Sequence, residues 1–64
     1  MPSGLYRQLA SELRAARCAI VRQGKGSHEI WQSPCGRTFT VPVTIRSRHL
    51  ANEILKQAGL PKQF

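Results

Sequence analysis

Arg22-Gln23-Gly24-Lys25-Gly26-Ser27-His28 decides how this chain is read. A short β-branched run, Ala19-Ile20-Val21-Arg22-Gln23, enters it, and a second run, His28-Glu29-Ile30-Trp31-Gln32-Ser33, leaves it. Glycine takes backbone angles that a Cβ forbids and lets another molecule approach the main chain closely. Gly24 and Gly26 therefore predict a corner between two strands. A histidine at the exit of such a corner is placed to meet a ligand, and histidine titrates near neutral pH. The plainer alternatives are a hairpin turn for the glycines and a strand-start histidine satisfied by a carbonyl.

Downstream, Pro34-Cys35-Gly36-Arg37 is a turn signal, so the second strand folds back into a third. In Thr38-Phe39-Thr40-Val41 the alternation sends Phe39 and Val41 to the core and the threonines outward. Pro42 lacks the N–H that a central ladder needs, which ends the strand. The second strand is ambiguous, because Ile30 and Trp31 point to opposite faces. One belongs to the core, and the other lies on an outer face open to a partner or to RNA. For Trp31, a core or rim place is the plain reading, and base stacking or burial under a partner is the sharper one. Val43 to Arg46 reads as a connector with a basic end. Ser47 is a candidate N-cap for a helix whose apolar stripe is Leu50, Ile54, Leu55 and Ala58. Gly59 is the expected residue just past its end, with Pro61 beyond.

Upstream, residues 3–17 read as a helix. Leu5, Leu9, Leu13 and Ala16 share one face, with Tyr6 and Ala10 beside them. Ser3 is its candidate N-cap, and Ala15-Ala16-Arg17 suits its last turn, where a cation complements the helix dipole. The order is helix, strand, strand, strand, helix. Short links make the strands an antiparallel meander, and two amphipathic helices must bury their stripes on one face of it. The expectation is an α+β, α-β-β-β-α two-layer sandwich, with residues 1–64 as one domain and the opposite sheet face open.

Ten Lys and Arg face three Asp and Glu, a net charge of +7 on 64 residues, and seven of the ten cations are arginines. Arginine forks match phosphate oxygens and stack on bases. This favours nucleic acid or an acidic protein as partner, with a merely solubilising surface as the bland reading. A chain this small has a thin core and little room for a deep catalytic cavity, so a site belongs on a face or in a groove. No run approaches the ~20 apolar residues of a membrane span. Met1-Pro2-Ser3 leads into the amphipathic pattern without a signal-peptide core, so the expectation is a cytoplasmic protein. Cys18 and Cys35 lack zinc-type spacing, and with two distant histidines no structural metal is expected. The thiols are expected to be free, at the same end of the sheet.

From Val21 to Trp31 the run resembles the HicA family of bacterial toxins: an arginine-glutamine pair, a glycine-rich loop and Gly26-Ser27-His28, then an apolar-aromatic strand. Thr40-Val41-Pro42 looks like the end of that family's third strand, and Ile54-Leu55-Lys56-Gln57-Ala58-Gly59-Leu60 is similar to its closing helix. The resemblance covers nearly the whole chain. It implies a fold like the double-stranded RNA-binding domain, an mRNA interferase activity within a toxin–antitoxin module, and inhibition by a HicB antitoxin. It implies His28 as the catalytic residue; separately, no cofactor is expected. The chain departs from the family where Cys18 stands near the glycine that usually ends helix one, and where Val43-Thr44-Ile45-Arg46-Ser47-Arg48-His49 replaces a more lysine-rich segment.

On that reading Arg22, Lys25 and Arg37 are candidates to stabilise the charge of a reacting phosphate. Backbone N–H groups from Gly24 through Gly26 to Ser27 are candidates to cradle one, and the Ser27 hydroxyl to orient phosphate or histidine. Arg46 and Arg48 are either solvated or touch phosphates at the helix start. His49 has no visible partner and reads as an ordinary surface histidine. Two other functions compete with the toxin: a non-catalytic basic RNA-binding module of similar fold, and a ribosome-associated basic protein.

Overall fold

The computed structural model describes residues 4–64. Its elements are α1 (Gly4–Ala15), β1 (Ala19–Gln23), β2 (His28–Gln32), β3 (Thr38–Pro42) and α2 (Arg48–Gln57). The strands form one antiparallel sheet in the order β1-β2-β3. Ser3, the expected cap of α1, lies outside the described residues. α1 buries Tyr6, Leu9, Ala10 and Leu13, a stripe turned slightly from the Leu5–Leu9–Leu13 line, so Leu5 is only partly covered.

The two helices stop in the same way. At α1 the Arg17 N–H donates to the Arg14 carbonyl (2.9 Å) and the Cys18 N–H to the Leu13 carbonyl (2.9 Å). At α2 the Gly59 N–H donates to Lys56 (3.0 Å) and the Leu60 N–H to Leu55 (2.8 Å). Both are Schellman closures, which satisfy the last carbonyls through one residue in the left-handed conformation. Gly59 (φ 81°) takes it freely, whereas at α1 that residue is Arg17 (φ 66°), at a cost of roughly 1–2 kcal/mol for a side chain with a Cβ. The expected last turn therefore holds to Ala15, the end of α1, but not to Arg17, where the chain reverses to deliver Cys18 into the core (4% exposed).

Ser47 caps α2, its hydroxyl accepting from the Leu50 N–H (3.1 Å). The buried stripe is Ala51, Ile54 and Leu55, with Ala58 packed beside it. Leu50, expected in that stripe, is 41% exposed, because Ala51 takes the inward position one residue later. Ile45 anchors the connector in the core.

Directly opposed residues of an antiparallel pair share a face. Glu29 and Trp31 thus stand with Val41 and Phe39 on the helix side, and His28, Ile30, Gln32, Thr38 and Thr40 on the open side. Trp31 is fully buried and is a core residue, so it is not available for base stacking. Truncating a side chain of that size costs about 3–5 kcal/mol.

β1 carries a bulge at Val21: Ile20 opposes Trp31, yet Arg22 opposes the next residue, Ile30. Ile20 and Arg22 would share a face in a regular strand. The extra residue sends Ile20 to the helix side and Arg22 to the open side.

β3 forms the other edge. Counting by two from the ladder bond of Val43 N–H to the Ser27 carbonyl (2.9 Å), Val41 and Phe39 bond inward, and Thr38, Thr40 and Pro42 turn their backbone groups outward. Pro42 is the last residue of β3, where the strand was expected to stop, and it sits where no N–H is required.

Candidate functional site

The β1–β2 corner is closed by backbone bonds. The Gly24 N–H donates to the His28 carbonyl (2.9 Å) and the His28 N–H to the Lys25 carbonyl (3.1 Å). Gly26 occupies the left-handed region (φ 62°). Gly24 is needed for a different reason: a Cβ there would come within 3.1 Å of the His28 carbonyl oxygen and 3.3 Å of the His28 Cβ. Glycine thus leaves the backbone and Cβ of His28 uncrowded on that side. On the open-face side of His28 stand Ile30 and Thr40, and Arg22 is its diagonal neighbour across β1, about 7–8 Å away between backbones. Among the described residues the side chains of Lys25, Ser27 and His28 make no hydrogen bond, and all three are exposed.

Glu29 follows His28 in sequence but lies on the opposite face. Its Oε1 accepts from the Tyr6 hydroxyl (2.5 Å) and from the Trp31 Nε1–H (3.2 Å). Burial first, and then the Glu29 carboxylate, push the Tyr6 hydroxyl up to about 12. The carboxylate nearest His28 in sequence is thus used to tie β2 to α1. The sequence reading missed this tie, because the ambiguous alternation of β2 leaves open which face Glu29 takes.

The segment after β3 departs from the His28 end of the sheet, since Pro42 opposes His28 and Val43 bonds Ser27. It leads to Arg46 and Arg48, which with Gly4, Leu5, Gln8 and Ile45 line a shallow groove of about 390 Å³. Arg22, Lys25, Gly26, Ser27 and His28 share the corner, and Arg46 and Arg48 lie along the chain that leaves it.

Arg37 is not brought there. It opposes Ser33 at the far end of β2, roughly 16 Å from His28 at the rise of a strand. Its Nη1 donates to the Gln57 carbonyl at the end of α2 (3.4 Å). It supports the helix terminus instead of the histidine.

The two thiols are free. Burial, then the nearby Cys35, push the Cys18 thiol up. The Cys35 thiol is held below the usual thiol range by its hydrogen bond with Ser33 (3.1 Å) and then by Arg37. Among the described residues no three of His, Cys, Asp and Glu gather to hold a metal ion, and no helix is long and apolar enough to cross a membrane.

An exposed histidine at a corner closed by backbone bonds alone, with unengaged cations on the same corner, suits a polyanion lying across the surface. The family model described as the HicA toxin of bacterial toxin–antitoxin systems matches residues 6–60. No curated protein and no solved structure matches the chain. The chain belongs to the HicA toxin family.

Proposed function

We propose that this HicA-family chain is an mRNA interferase, the toxin of a type II module. It acts in the cytoplasm as an endoribonuclease on mRNA and is held neutral by a HicB-type antitoxin. RNA carries its own nucleophile. The 2′-hydroxyl gives up its proton, its oxygen attacks the adjacent phosphorus, the bond to the 5′-oxygen breaks, and that oxygen takes a proton. The products are a 2′,3′-cyclic phosphate and a 5′-hydroxyl, and neither a metal nor a cofactor enters the step. His28 is the proton-transfer residue, a role worth roughly 10²–10⁴ in rate.

Lys25 and Arg22 stabilise the charge on the phosphorane oxygens. The N–H groups around Gly26 and Ser27 cradle the phosphate. Arg46 and Arg48 hold the flanking RNA. With Glu29 committed to Tyr6 and Trp31, no carboxylate competes for the imidazole from the strand that carries it.

The observation that carries this reading is the exposed imidazole of His28, which makes no hydrogen bond among the described residues and stands at a corner closed by backbone bonds alone. Incubating the pure protein with a long unstructured RNA in EDTA tests it. Fragments ending in cyclic phosphate are expected, with none from His28→Ala. Intact RNA at protein excess favours the non-catalytic binding module and overturns the assignment. So does undiminished cleavage by His28→Ala.

A further inference from the structure

The helices leave one strand uncovered. All five residues of β1 are exposed. Ile20 is 39% exposed although it stands beside Trp31, which is fully buried, and Val21 on the bulge is 48% exposed. The Arg14 guanidinium lies over the same Trp31 ring, 5.5 Å from its centroid. Arg17 holds its left-handed turn two residues before β1 begins. Ile20 on the helix side and Val21 on the bulge thus form an aliphatic pair, with Arg14 beside it over Trp31 and Arg17 two residues before the strand. Among the described residues no carboxylate lies within 4.0 Å of either arginine's side-chain nitrogens, the one such contact being His49–Glu53 at 4.0 Å.

We propose that Ile20, Val21, Arg14 and Arg17 form the docking surface for the antitoxin, and that it presents there an apolar side chain between carboxylates. This rests on the toxin reading above. Three features select that occupant. RNA gains little from exposed aliphatic side chains, since its bases stack on aromatic rings. The rings beneath this patch are not available: Trp31 and Phe39 are core residues, and the Tyr6 hydroxyl is bound to Glu29. A second copy of a chain with net charge +7 is repelled. An acidic protein with an apolar anchor satisfies both centre and rim, the usual anatomy of a specific interface. Among the described residues the exposed Arg17 side chain makes no hydrogen bond or ion pair, so its charge is available to a partner. The bulge places Arg22 on the opposite face, so a body seated on Ile20 meets the His28 face around the strand's edge.

The test uses the purified antitoxin of the same module, titrated calorimetrically against Ile20→Asp and Arg17→Gly, with RNA cleavage measured in parallel. Ile20→Asp is expected to cleave RNA at the wild-type rate and to bind the antitoxin about 30-fold or more weakly, as an interface anchor should. Arg17→Gly is expected to melt higher, because glycine relaxes the turn, and to bind about fivefold more weakly. A merely structural role raises the melting temperature and leaves binding unchanged. Unchanged antitoxin affinity in both variants overturns the docking surface and leaves the cleavage reading standing. Weakened RNA binding with normal antitoxin binding assigns the patch to RNA and also overturns it. If Ile20→Asp does not fold, Arg17→Gly decides alone. Wild-type protein that neither cleaves RNA nor binds the antitoxin sinks the functional reading and this surface with it.

Discussion

The two hairpins are built from nearly the same parts. The β1–β2 corner has Lys25, Gly26, Ser27 and His28; the β2–β3 corner has Ser33, Cys35, Gly36 and Arg37. Each puts a glycine in the left-handed region, Gly26 at φ 62° and Gly36 at φ 94°. They differ in what the side chains do. In the second corner Ser33 Oγ accepts from the Arg37 N–H (3.2 Å) and touches Cys35 Sγ (3.1 Å), Gln32 Nε2 donates to the Gly36 carbonyl (3.2 Å), and Arg37 reaches Gln57. In the first corner the backbone closes the turn alone. A serine and a cation are structure in one place and available chemistry in the other. Residue type does not decide which; hydrogen-bond accounting does.

The largest test of this contrast is His28→Ala. Cleavage is expected to fall by about 10²–10⁴ while the melting temperature stays within a degree or so, since a surface change away from packing alters stability by less than about 0.5 kcal/mol. A marked loss of stability would make His28 a structural residue like Ser33. Next come the glycines. Gly24→Val is expected to lose about 1–3 kcal/mol through its clash with His28, and to lose cleavage per folded molecule. Gly36→Ala loses about 1 kcal/mol to its backbone angle and keeps cleavage. Chemical denaturation alongside an RNA cleavage assay separates the two.

Ser33→Ala should cost about 1 kcal/mol without altering cleavage, whereas Ser27→Ala should leave the denaturation midpoint unmoved. For the cations the readout is the salt dependence of RNA binding by the His28→Ala protein. Lys25→Ala is expected to lower the log–log slope by about 0.7, and Arg37→Ala to leave it unchanged. The smallest effect concerns Cys35. The thiolate is the reactive form, so a lowered thiol makes alkylation at Cys35 set in at lower pH than at Cys18. Ser33→Ala should move that onset up again, as mass spectrometry of alkylated protein can follow.

Much of the fold was legible because its signals are local. The Phe39/Val41 alternation, the Ser47 cap, the Gly59 terminator and the five-element order all stand as read. What escaped depends on pairing at a distance. The Val21 bulge is a property of the β1–β2 register, so the face that Arg22 takes cannot be read from β1 alone. Arg17 looks like a good helix end until the burial of Cys18 requires the chain to reverse there. Ile45 and Leu50 exchange the burial that their spacing suggests, because the connector dips into the core before α2 starts. Among the candidate site residues, that Lys25, Ser27 and His28 share one corner between strands was readable from its glycines. The exclusion of Arg37 was not, because its partner Gln57 lies twenty residues on.

The free edge of β3 has a practical consequence for anyone handling the protein. Its outward Thr38 and Thr40 carry no charge, no bulge interrupts them, and Pro42 blunts only one end. Edge-to-edge pairing of two molecules is opposed by long-range repulsion from a net charge of +7 on a body 28 × 25 × 16 Å. That repulsion reaches about 10 Å in 0.1 M salt and about 3 Å in 1 M. Concentrated salt washes that strip adhering nucleic acid during purification also remove this colloidal protection. Recovery of dispersed, nucleic-acid-free material should therefore peak in a middle band of ionic strength.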